Sequence, residues 1–139
     1  MPRILFGGPQ EKERGAQDYS HRDLLARLRK EGIEVNYLTR GDEMMGELLK
    51  PTSAANGSYE AVVCDTRLFY DEARPAERAR LFIENVAASL KKANVPVIVL
   101  ADGEIAESIS NSARSADFTL INQPYDVEEV FRAVKSHLA

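Results

Sequence analysis

Five short apolar runs alternate along the chain with five segments of helical periodicity. The runs are bounded by Gly, Pro, Asn, Asp or Ser and cover Arg3 to Gly7, Ile33 to Leu38, Glu60 to Asp65, Val95 to Ala101 and Phe118 to Asn122. Alternation of this kind is typical of folds in which helices connect parallel strands. The pattern therefore predicts an α/β fold with five strands and five helices.

Capping residues mark the ends of several helices. Ser20 is the expected N-cap of the first helix, and Gly32 is expected to end it. Asp42 is the expected cap of the second helix. Asp126 opens the fifth helix, with Glu129 in capping-box register.

The third helix follows Pro75 and carries the clearest buried stripe. Apolar residues recur there at the i, i+3, i+4, i+7 spacing of one helix face. They are Ala79, Phe82, Ile83, Val86, Ala87 and Leu90. The fourth helix, from about Glu104 to Arg114, has only Ile105 and Ile109 as large apolar anchors.

Differences between the strands predict their order in the sheet. The first, third and fourth are continuous apolar runs, as expected of parallel strands covered on both faces. The second and fifth alternate between apolar and polar residues, which suits strands at the edges. With right-handed crossovers, this predicts a flavodoxin-like, doubly wound sheet of order 2-1-3-4-5. Asp65 then lies at the carboxyl end of the third strand, where such sheets bind ligands.

Composition bounds the classes of function. The length of 139 residues and the 44% hydrophobic content fit a single domain over residues 1–139. A formal charge of −4 and a pI near 5.3 argue against nucleic acid as a partner, because phosphate backbones are bound by many cations. One cysteine allows no internal disulfide, and neither a membrane span nor a signal peptide is apparent. We expect a soluble, cytoplasmic protein.

Three stretches of sequence resemble one known family. They are Arg3-Ile4-Leu5-Phe6, the segment from Tyr59 to Leu68, and the segment from Gln123 to Val130. Together they are similar to the receiver domain of two-component response regulators, which a histidine kinase phosphorylates on an aspartate. The resemblance covers nearly the whole chain, and it implies that Asp65 stands at the position of the phosphoacceptor.

The residues that should assist Asp65 are missing. Receivers place an acidic pair after the first strand to hold Mg²⁺, and the matching residues are Gly8 and Pro9, or Gly7 and Gly8 in a shifted alignment. The hydroxyl expected at the end of the fourth strand is replaced by Ala101, and the lysine expected before the last helix is replaced by Gln123. The expected pocket is therefore degenerate.

These losses predict a stand-alone, non-enzymatic receiver that acts by phosphorylation-independent protein–protein interaction, with Asp65 as a vestigial phosphoacceptor. Two alternatives stay open: a phosphorylatable receiver with an altered acid pocket, and a flavodoxin-like protein that binds a nucleotide or another small ligand. The glycine motifs of nucleotide-binding loops are absent, and Arg67 replaces the second acid of the Asp-x-Asp phosphatase motif. Asp65 could also simply cap a backbone turn.

The resemblance further implies a binding face formed by the fourth helix, the fifth strand and the fifth helix. The candidate residues of this face are Leu120, Phe131 and Arg132, and the position of the family's aromatic switch falls on Leu120 or on Phe118. A signalling protein is the expected partner, either a histidine kinase or an output protein, and homodimerisation is possible. We predict no membrane association and no cofactor.

Several other residues have plain interpretations. We expect His21 and His137 on the surface, because neither has a second ligand at metal-binding spacing, and Cys64 buried as a small hydrophobe. The acids Asp71, Glu72, Asp102 and Glu104 could surround Asp65, but we predict no bound metal. Two segments are long for this fold, Lys50 to Ser58 and Phe69 to Pro75. In the second, Leu68, Phe69 and Tyr70 either cover the pocket, dock a partner or pack on the third helix.

Overall fold

The computed structural model describes residues 2–8, 21–49, 59–69, 74–92, 94–101, 103–123 and 125–138. The elements, in chain order, are β1 (Arg3–Gly7), α1 (Arg22–Lys30), β2 (Glu34–Leu38), α2 (Gly41–Leu49), β3 (Ala61–Asp65), the 3₁₀ turn Thr66–Phe69, α3 (Pro75–Lys92), β4 (Val97–Ala101), α4 (Gly103–Ser115), β5 (Thr119–Asn122) and α5 (Val127–Ser136). The predicted α/β alternation is confirmed.

The five strands form one parallel sheet of order β2-β1-β3-β4-β5, as the sequence predicted. The three central strands have continuous apolar sequences because helices cover both of their faces. Their carboxyl ends lie together at one edge of the sheet, where Gly7 pairs with Cys64 and Asp65 pairs with Leu100. This edge carries the candidate site.

Alternate strand residues point to two separate apolar layers. Leu5, Val62 and Val99 pack with α2, α3 and α4 on one face of the sheet. Phe6, Val63 and Leu100 pack with α1 and α5 on the other face. Side chains along a strand alternate between faces, so Asp65 has the same direction as Val63 and leaves the sheet on the side of α1 and α5.

Four strands begin one or two residues later than predicted, and for β2, β4 and β5 the turns that precede them give the reason. Ile33, Val95 and Phe118 are buried, but each donates its backbone N–H to a carbonyl five residues earlier in the preceding helix. The residue before each one has a positive φ: Gly32 (80°), Asn94 (58°) and Asp117 (60°). These are the hydrogen bonds and backbone angles of Schellman helix ends, in which an apolar residue closes the helix before the strand starts.

The other helix predictions have mixed outcomes. Asp126 is the N-cap of α5 and accepts from the backbone N–H of Glu128, which confirms its role. The cap predicted at Asp42 is wrong, because α2 starts at Gly41 and Asp42 lies in its first turn. His21 is the N-cap residue of α1, without a side-chain capping bond, and Ser20 lies outside the described residues.

The buried stripe of α3 is confirmed for Ala79, Phe82, Ile83, Val86 and Leu90, while the Ala87 side chain is outside the description. Residues 50–58 and 70–73 also lie outside it. No helix within the described ranges combines the length and the apolar content that crossing a bilayer requires.

Candidate functional site

Asp65 ends β3, and its side chain is fully buried. Its Oδ1 accepts hydrogen bonds from the backbone N–H of Arg67 (2.9 Å) and from Nε2 of Gln123 (2.9 Å). Its Oδ2 accepts from Nε2 of His21 (2.6 Å) and from Nη2 (2.7 Å) and Nε (3.0 Å) of Arg67. A carboxylate has about four lone-pair positions, so five donors occupy all of them.

His21 is the largest departure from the sequence interpretation. We expected it on the surface, which is wrong, since it is only 1% exposed. It directly precedes α1, and its ring lies 4.9 Å from the ring of Phe6 and is stacked at 5.6 Å on the ring of Tyr125. Its Nδ1 is hydrogen-bonded to the hydroxyl of Tyr125. These aromatic contacts and two polar contacts remove the imidazole from water.

The hydrogen bonds also assign the tautomer of His21. An ionised carboxylate only accepts, so Nε2 carries the hydrogen that points at Asp65. In the neutral imidazole Nδ1 is then an acceptor, and the hydroxyl of Tyr125 donates to it. Tyr125, His21 and Asp65 form a continuous chain of hydrogen bonds. We call Asp65, His21, Arg67, Gln123 and Tyr125 the Asp65 cluster.

This chain has the order of groups found in catalytic triads, with a hydroxyl, an imidazole and a carboxylate. The environment of Tyr125 opposes a nucleophilic role, however. Burial raises the pKa of its hydroxyl, and the negative charge of Asp65 raises that pKa further. A tyrosinate is therefore disfavoured, and the chain positions the carboxylate without activating the hydroxyl.

Arg67 supplies the charge that balances Asp65. It belongs to the 3₁₀ turn that follows β3, so its backbone N–H and its guanidinium reach the same carboxylate. The bond from this N–H to Oδ1 confirms that Asp65 caps the turn. From the sequence we considered Arg67 only as the residue that replaces the second acid of the Asp-x-Asp phosphatase motif. Its role as the counterion of Asp65 was missed.

Two opposing effects set the ionisation of Asp65. Burial is the largest effect and raises the pKa of the carboxyl group, but hydrogen bonds and charge interactions with His21 and Arg67 outweigh it. The resulting pKa lies below the usual range of an aspartate. The carboxylate is thus ionised at neutral pH without any divalent ion.

The glycines at the end of β1, Gly7 and Gly8, are closely surrounded by side chains. A Cβ at Gly8 would lie 2.6 Å from the hydroxyl oxygen of Tyr37 and 2.9 Å from Cδ2 of His21. A Cβ at Gly7 would lie 2.6 Å from Cδ1 of Leu68. All three distances are shorter than real Cβ contacts, so neither position accepts a carboxylate side chain without a shift of its neighbours. Pro9 lies outside the described residues.

Ala101 ends β4 and Gln123 directly follows β5, the places in the fold where the sequence analysis put them. The backbone N–H of Gln123 donates to the carbonyl of Ala101 at 2.9 Å. The Gln123 amide donates to Asp65, while its Oε1 is buried without a partner among the described residues. Gln123 therefore takes over one hydrogen bond of the expected lysine but none of its charge.

No metal site is evident in the described part of the chain, where three or more His, Cys, Asp or Glu side chains do not come together. Asp71, Glu72, Asp102 and the side chain of Glu104 lie outside that part. Cys64 is buried as predicted, and both burial and the neighbouring Asp65 raise the pKa of its thiol. His137 is exposed, as expected.

The remaining candidate residues lie away from the Asp65 cluster. Leu120 is half-buried on β5, and Arg132 is exposed on α5. Phe131, expected on an exposed face, is instead buried, with the guanidinium of Arg27 lying 3.9 Å from its ring centre. It follows Val130 in the stripe that packs α5 onto α1 and the sheet, which is the reason for its burial.

Leu68 and Phe69 are also buried, and the ring of Phe69 lies 5.5 Å from that of Phe82. Of the three roles considered for this aromatic segment, packing on the third helix is therefore the one that the contacts of Phe69 support. Tyr70 lies outside the described residues.

Comparison with known proteins gives a match in structure only. No family model and no curated protein matches the sequence. The receiver domain of HemR from Leptospira biflexa matches 100% of this chain and 95% of its own, with a TM-score of 0.68 and 19% identity. A two-component response regulator from Clostridium difficile matches 99% and 96%, with a TM-score of 0.68 and 14% identity. The chain has a receiver fold.

A third structure, the inactive form of the regulatory domain from the repressor of iron transport regulator (RitR), matches 98% of this chain and 94% of its own, with a TM-score of 0.66 and 19% identity. Identities this low support the fold and leave the activity to the residues of the site. The resemblance inferred from the sequence is thus confirmed at the level of the receiver fold.

Proposed function

We propose that this chain is a receiver-like signalling module of the cytoplasm that acts by contact with another protein and not by phosphoryl transfer. The observation that supports this most strongly is the state of Asp65. Its carboxylate is fully buried and is occupied by donors from His21, Arg67 and Gln123. A phosphoacceptor needs an accessible oxygen and a cation for the incoming phosphoryl group, and both requirements conflict with this arrangement.

The closed space beside Asp65 supports the same proposal. His21 and Tyr37 fill the volume into which an acidic side chain at position 8 would project. Mg²⁺ requires several oxygen ligands in near-octahedral geometry. Nitrogen donors of His21 and Arg67 point at Asp65 from that side, and such donors do not coordinate a hard cation. The module is accordingly proposed to be non-enzymatic.

The proposed partner is a signalling protein, either a histidine kinase or an output protein, and a second copy of the chain is an alternative partner. Among the described residues, Leu81 is the single exposed large hydrophobic side chain. A surface of this kind suits a polar, reversible contact better than an obligate apolar interface. We assign the contact to the surface around Leu120 and Arg132; Phe131 is buried in the apolar layer on the opposite face of the sheet from Leu120.

A phosphorylation assay tests the first part of the proposal. The purified protein is incubated with Mg²⁺ and acetyl phosphate, or with beryllofluoride, and is followed by intact mass and by backbone NMR. We expect no phosphoryl adduct and no Mg²⁺-dependent change in the spectrum. A receiver with a complete acid pocket is the positive control, and Asp65→Asn is the negative control. Stoichiometric modification at Asp65 would contradict the proposal and favour the phosphorylatable alternative.

Co-purification from the native source tests the second part. Arg132→Glu should reduce recovery of the partner, because it reverses a charge on the assigned face. Arg29→Glu is the matched control, since Arg29 is exposed on α1. Equal losses in both variants, or none in either, would place the contact elsewhere.

A further inference from the structure

The two basic side chains that bind Asp65, His21 and Arg67, share one of its oxygen atoms. His21 Nε2 and both Nε and Nη2 of Arg67 direct their hydrogens at Oδ2, within 2.6 to 3.0 Å. A carboxylate oxygen offers about two lone pairs, so one of these three donors is in excess. Nη2 of Arg67 and Nε2 of His21 lie only 3.4 Å apart. The two side chains are therefore competitors for a single acceptor.

The charge balance of this arrangement depends on one proton. With neutral His21, the negative Asp65 and the positive Arg67 cancel. With protonated His21, two cations face one carboxylate, in side chains that are 0% exposed for His21 and Asp65 and 11% for Arg67. An uncompensated charge at such burial is strongly disfavoured.

We infer that the Asp65 cluster is a proton-operated switch, in which protonation of His21 releases the Arg67 side chain from Asp65 to solvent. This inference deepens the proposed function and rests on it, because it requires a pocket that is not engaged in phosphoryl transfer. It names the regulation of the same site. The signal is acidification, and no small ligand is needed.

Geometry decides which of the two side chains leaves. The imidazole of His21 is packed against Phe6 and stacked on Tyr125, and its backbone carbonyl accepts the first helical bond of α1, from Leu25 at 2.8 Å. Arg67 lies at the rim of the pocket on a long and flexible side chain. A guanidinium that reaches water is solvated there and keeps its charge. Movement of Arg67 to the solvent therefore removes the excess positive charge beside Asp65.

Tyr125 provides the path for the proton and the outward signal. Tyr125 is half-buried, and its hydroxyl is the group hydrogen-bonded to the enclosed Nδ1 of His21. The hydroxyl passes its proton to Nδ1 and receives another from a hydronium ion of the acidified solvent, which becomes water. The hydroxyl oxygen then accepts a hydrogen bond from Nδ1–H, where the hydroxyl formerly donated one. Tyr125 immediately precedes Asp126, the N-cap of α5. The change therefore reaches the connection between β5 and α5.

The groups facing His21 come from every element around it. Asp65 lies on β3, Arg67 on the 3₁₀ turn, Tyr125 before α5 and Tyr37 on β2. Asp23, in the first turn of α1, acts on Tyr125 through its charge. Of these groups, Arg67 carries a permanent positive charge. The inferred switch changes the distance between its guanidinium and the carboxylate of Asp65.

An NMR titration of the full chain, without any phosphodonor, tests the inference. The protein contains two histidines, so the exposed His137 is an internal reference for His21. Long-range ¹H–¹⁵N spectra are recorded from pH about 8 to about 5, the interval in which histidines change charge. We expect the neutral His21 to carry its hydrogen on Nε2. The protected Nε–H signal of Arg67 should disappear with the same midpoint as the protonation of His21, while backbone signals outside the cluster stay in place.

Variants separate competition from general loss of structure. Arg67→Met should move the titration of His21 to higher pH, and Arg29→Met should leave it unchanged. Two results in the wild-type protein would each overturn the inference. One is a neutral His21 that carries its hydrogen on Nδ1, and the other is an Nε–H signal of Arg67 that does not change with pH. An unchanged His21 titration in a folded Arg67→Met variant would overturn it as well. Phosphorylation of Asp65 in the separate assay would refute the proposed function, a result distinguishable from these.

Discussion

Replacing Asp65 with asparagine is the most direct test of how the cluster is held together. The substitution keeps the shape of the side chain but removes its charge and turns one oxygen into a donor. If the new amide group takes the place of Oδ2, its hydrogens face three donors from His21 and Arg67. If the amide is turned round, they face the N–H groups of Arg67 and Gln123 instead. In either orientation the amide hydrogens point at other hydrogen-bond donors, so a buried donor is left without an acceptor.

The magnitude follows from the burial of the partners. Removing one member of a buried ion pair costs about 3 to 5 kcal/mol, because the other charge stays buried and unpaired. The Arg67 side chain is 11% exposed, so it can partly reach water, and we expect a loss near the lower limit, about 3 kcal/mol. Domains are stable by about 5 to 15 kcal/mol, so the loss is a large share of the total.

Urea denaturation followed by circular dichroism measures this loss. With a denaturant slope of about 2 kcal/mol per molar, the transition midpoint should fall by about 1.5 M. Asp42→Asn is the matched control, because Asp42 also pairs with an arginine but is 68% exposed, and its midpoint should hardly move. A midpoint for Asp65→Asn equal to or above that of the wild-type protein would refute the view that the carboxylate is the anchor of the cluster.

Three further predictions follow from the same geometry. The pKa of Asp65 is lower in the folded state than in the unfolded state. The contribution of its carboxylate to stability is therefore complete above the unfolded pKa of about 3.9 and is lost as pH falls through the folded pKa. The stabilities of the wild-type protein and Asp65→Asn, measured by urea denaturation, should converge at acid pH. Gly8→Ala should destabilise by about 1 to 3 kcal/mol, because the new Cβ would lie 2.6 Å from a tyrosine oxygen. Gly46→Ala, where the Cβ meets nothing within 4 Å, should instead stabilise by about 0.5 to 1 kcal/mol, and equal midpoints for the two variants would contradict this. The triple change His21→Phe, Asp65→Leu and Arg67→Met should be more stable than Asp65→Asn alone, since an apolar cluster leaves no charge unpaired; a triple variant less stable than the single one would argue against it.

The fold was readable from the sequence because burial on two faces leaves a visible mark. Continuous apolar runs identified the central strands, and alternation identified β2 and β5, so the order of the sheet followed from crossover handedness. The strand starts were less predictable. Ile33, Val95 and Phe118 look like strand residues but close the preceding helices, and an apolar residue after a left-handed turn serves either purpose in a linear pattern.

The site was only half predictable, and the reason is spatial. Counting along the strands located Asp65, Ala101 and Gln123, since the first two end their strands and the third directly follows β5. His21 lies 44 residues before Asp65, and no spacing rule connects the two. A usable signal did exist. The helix that follows β1 begins at the carboxyl edge of the sheet, so the residue that precedes α1 is expected at the same edge as Asp65. A fully buried carboxylate also requires partners, and this requirement could have directed attention to the nearest basic residues.

The mutual dependence of these groups explains how a carboxylate can be fully buried at the end of β3. Asp65 is tolerable at complete burial only because His21 and Arg67 donate to it. Arg67, in turn, is tolerable at its depth only because Asp65 is ionised, and His21 keeps a defined tautomer only because the same carboxylate accepts from it. Substituting any one of the three residues therefore leaves the others with a buried charge or hydrogen-bonding group that has lost its partner, which costs stability. The contacts of Asp65 within this network give it a structural role of its own, so the presence of Asp65 is not by itself evidence of phosphorylation.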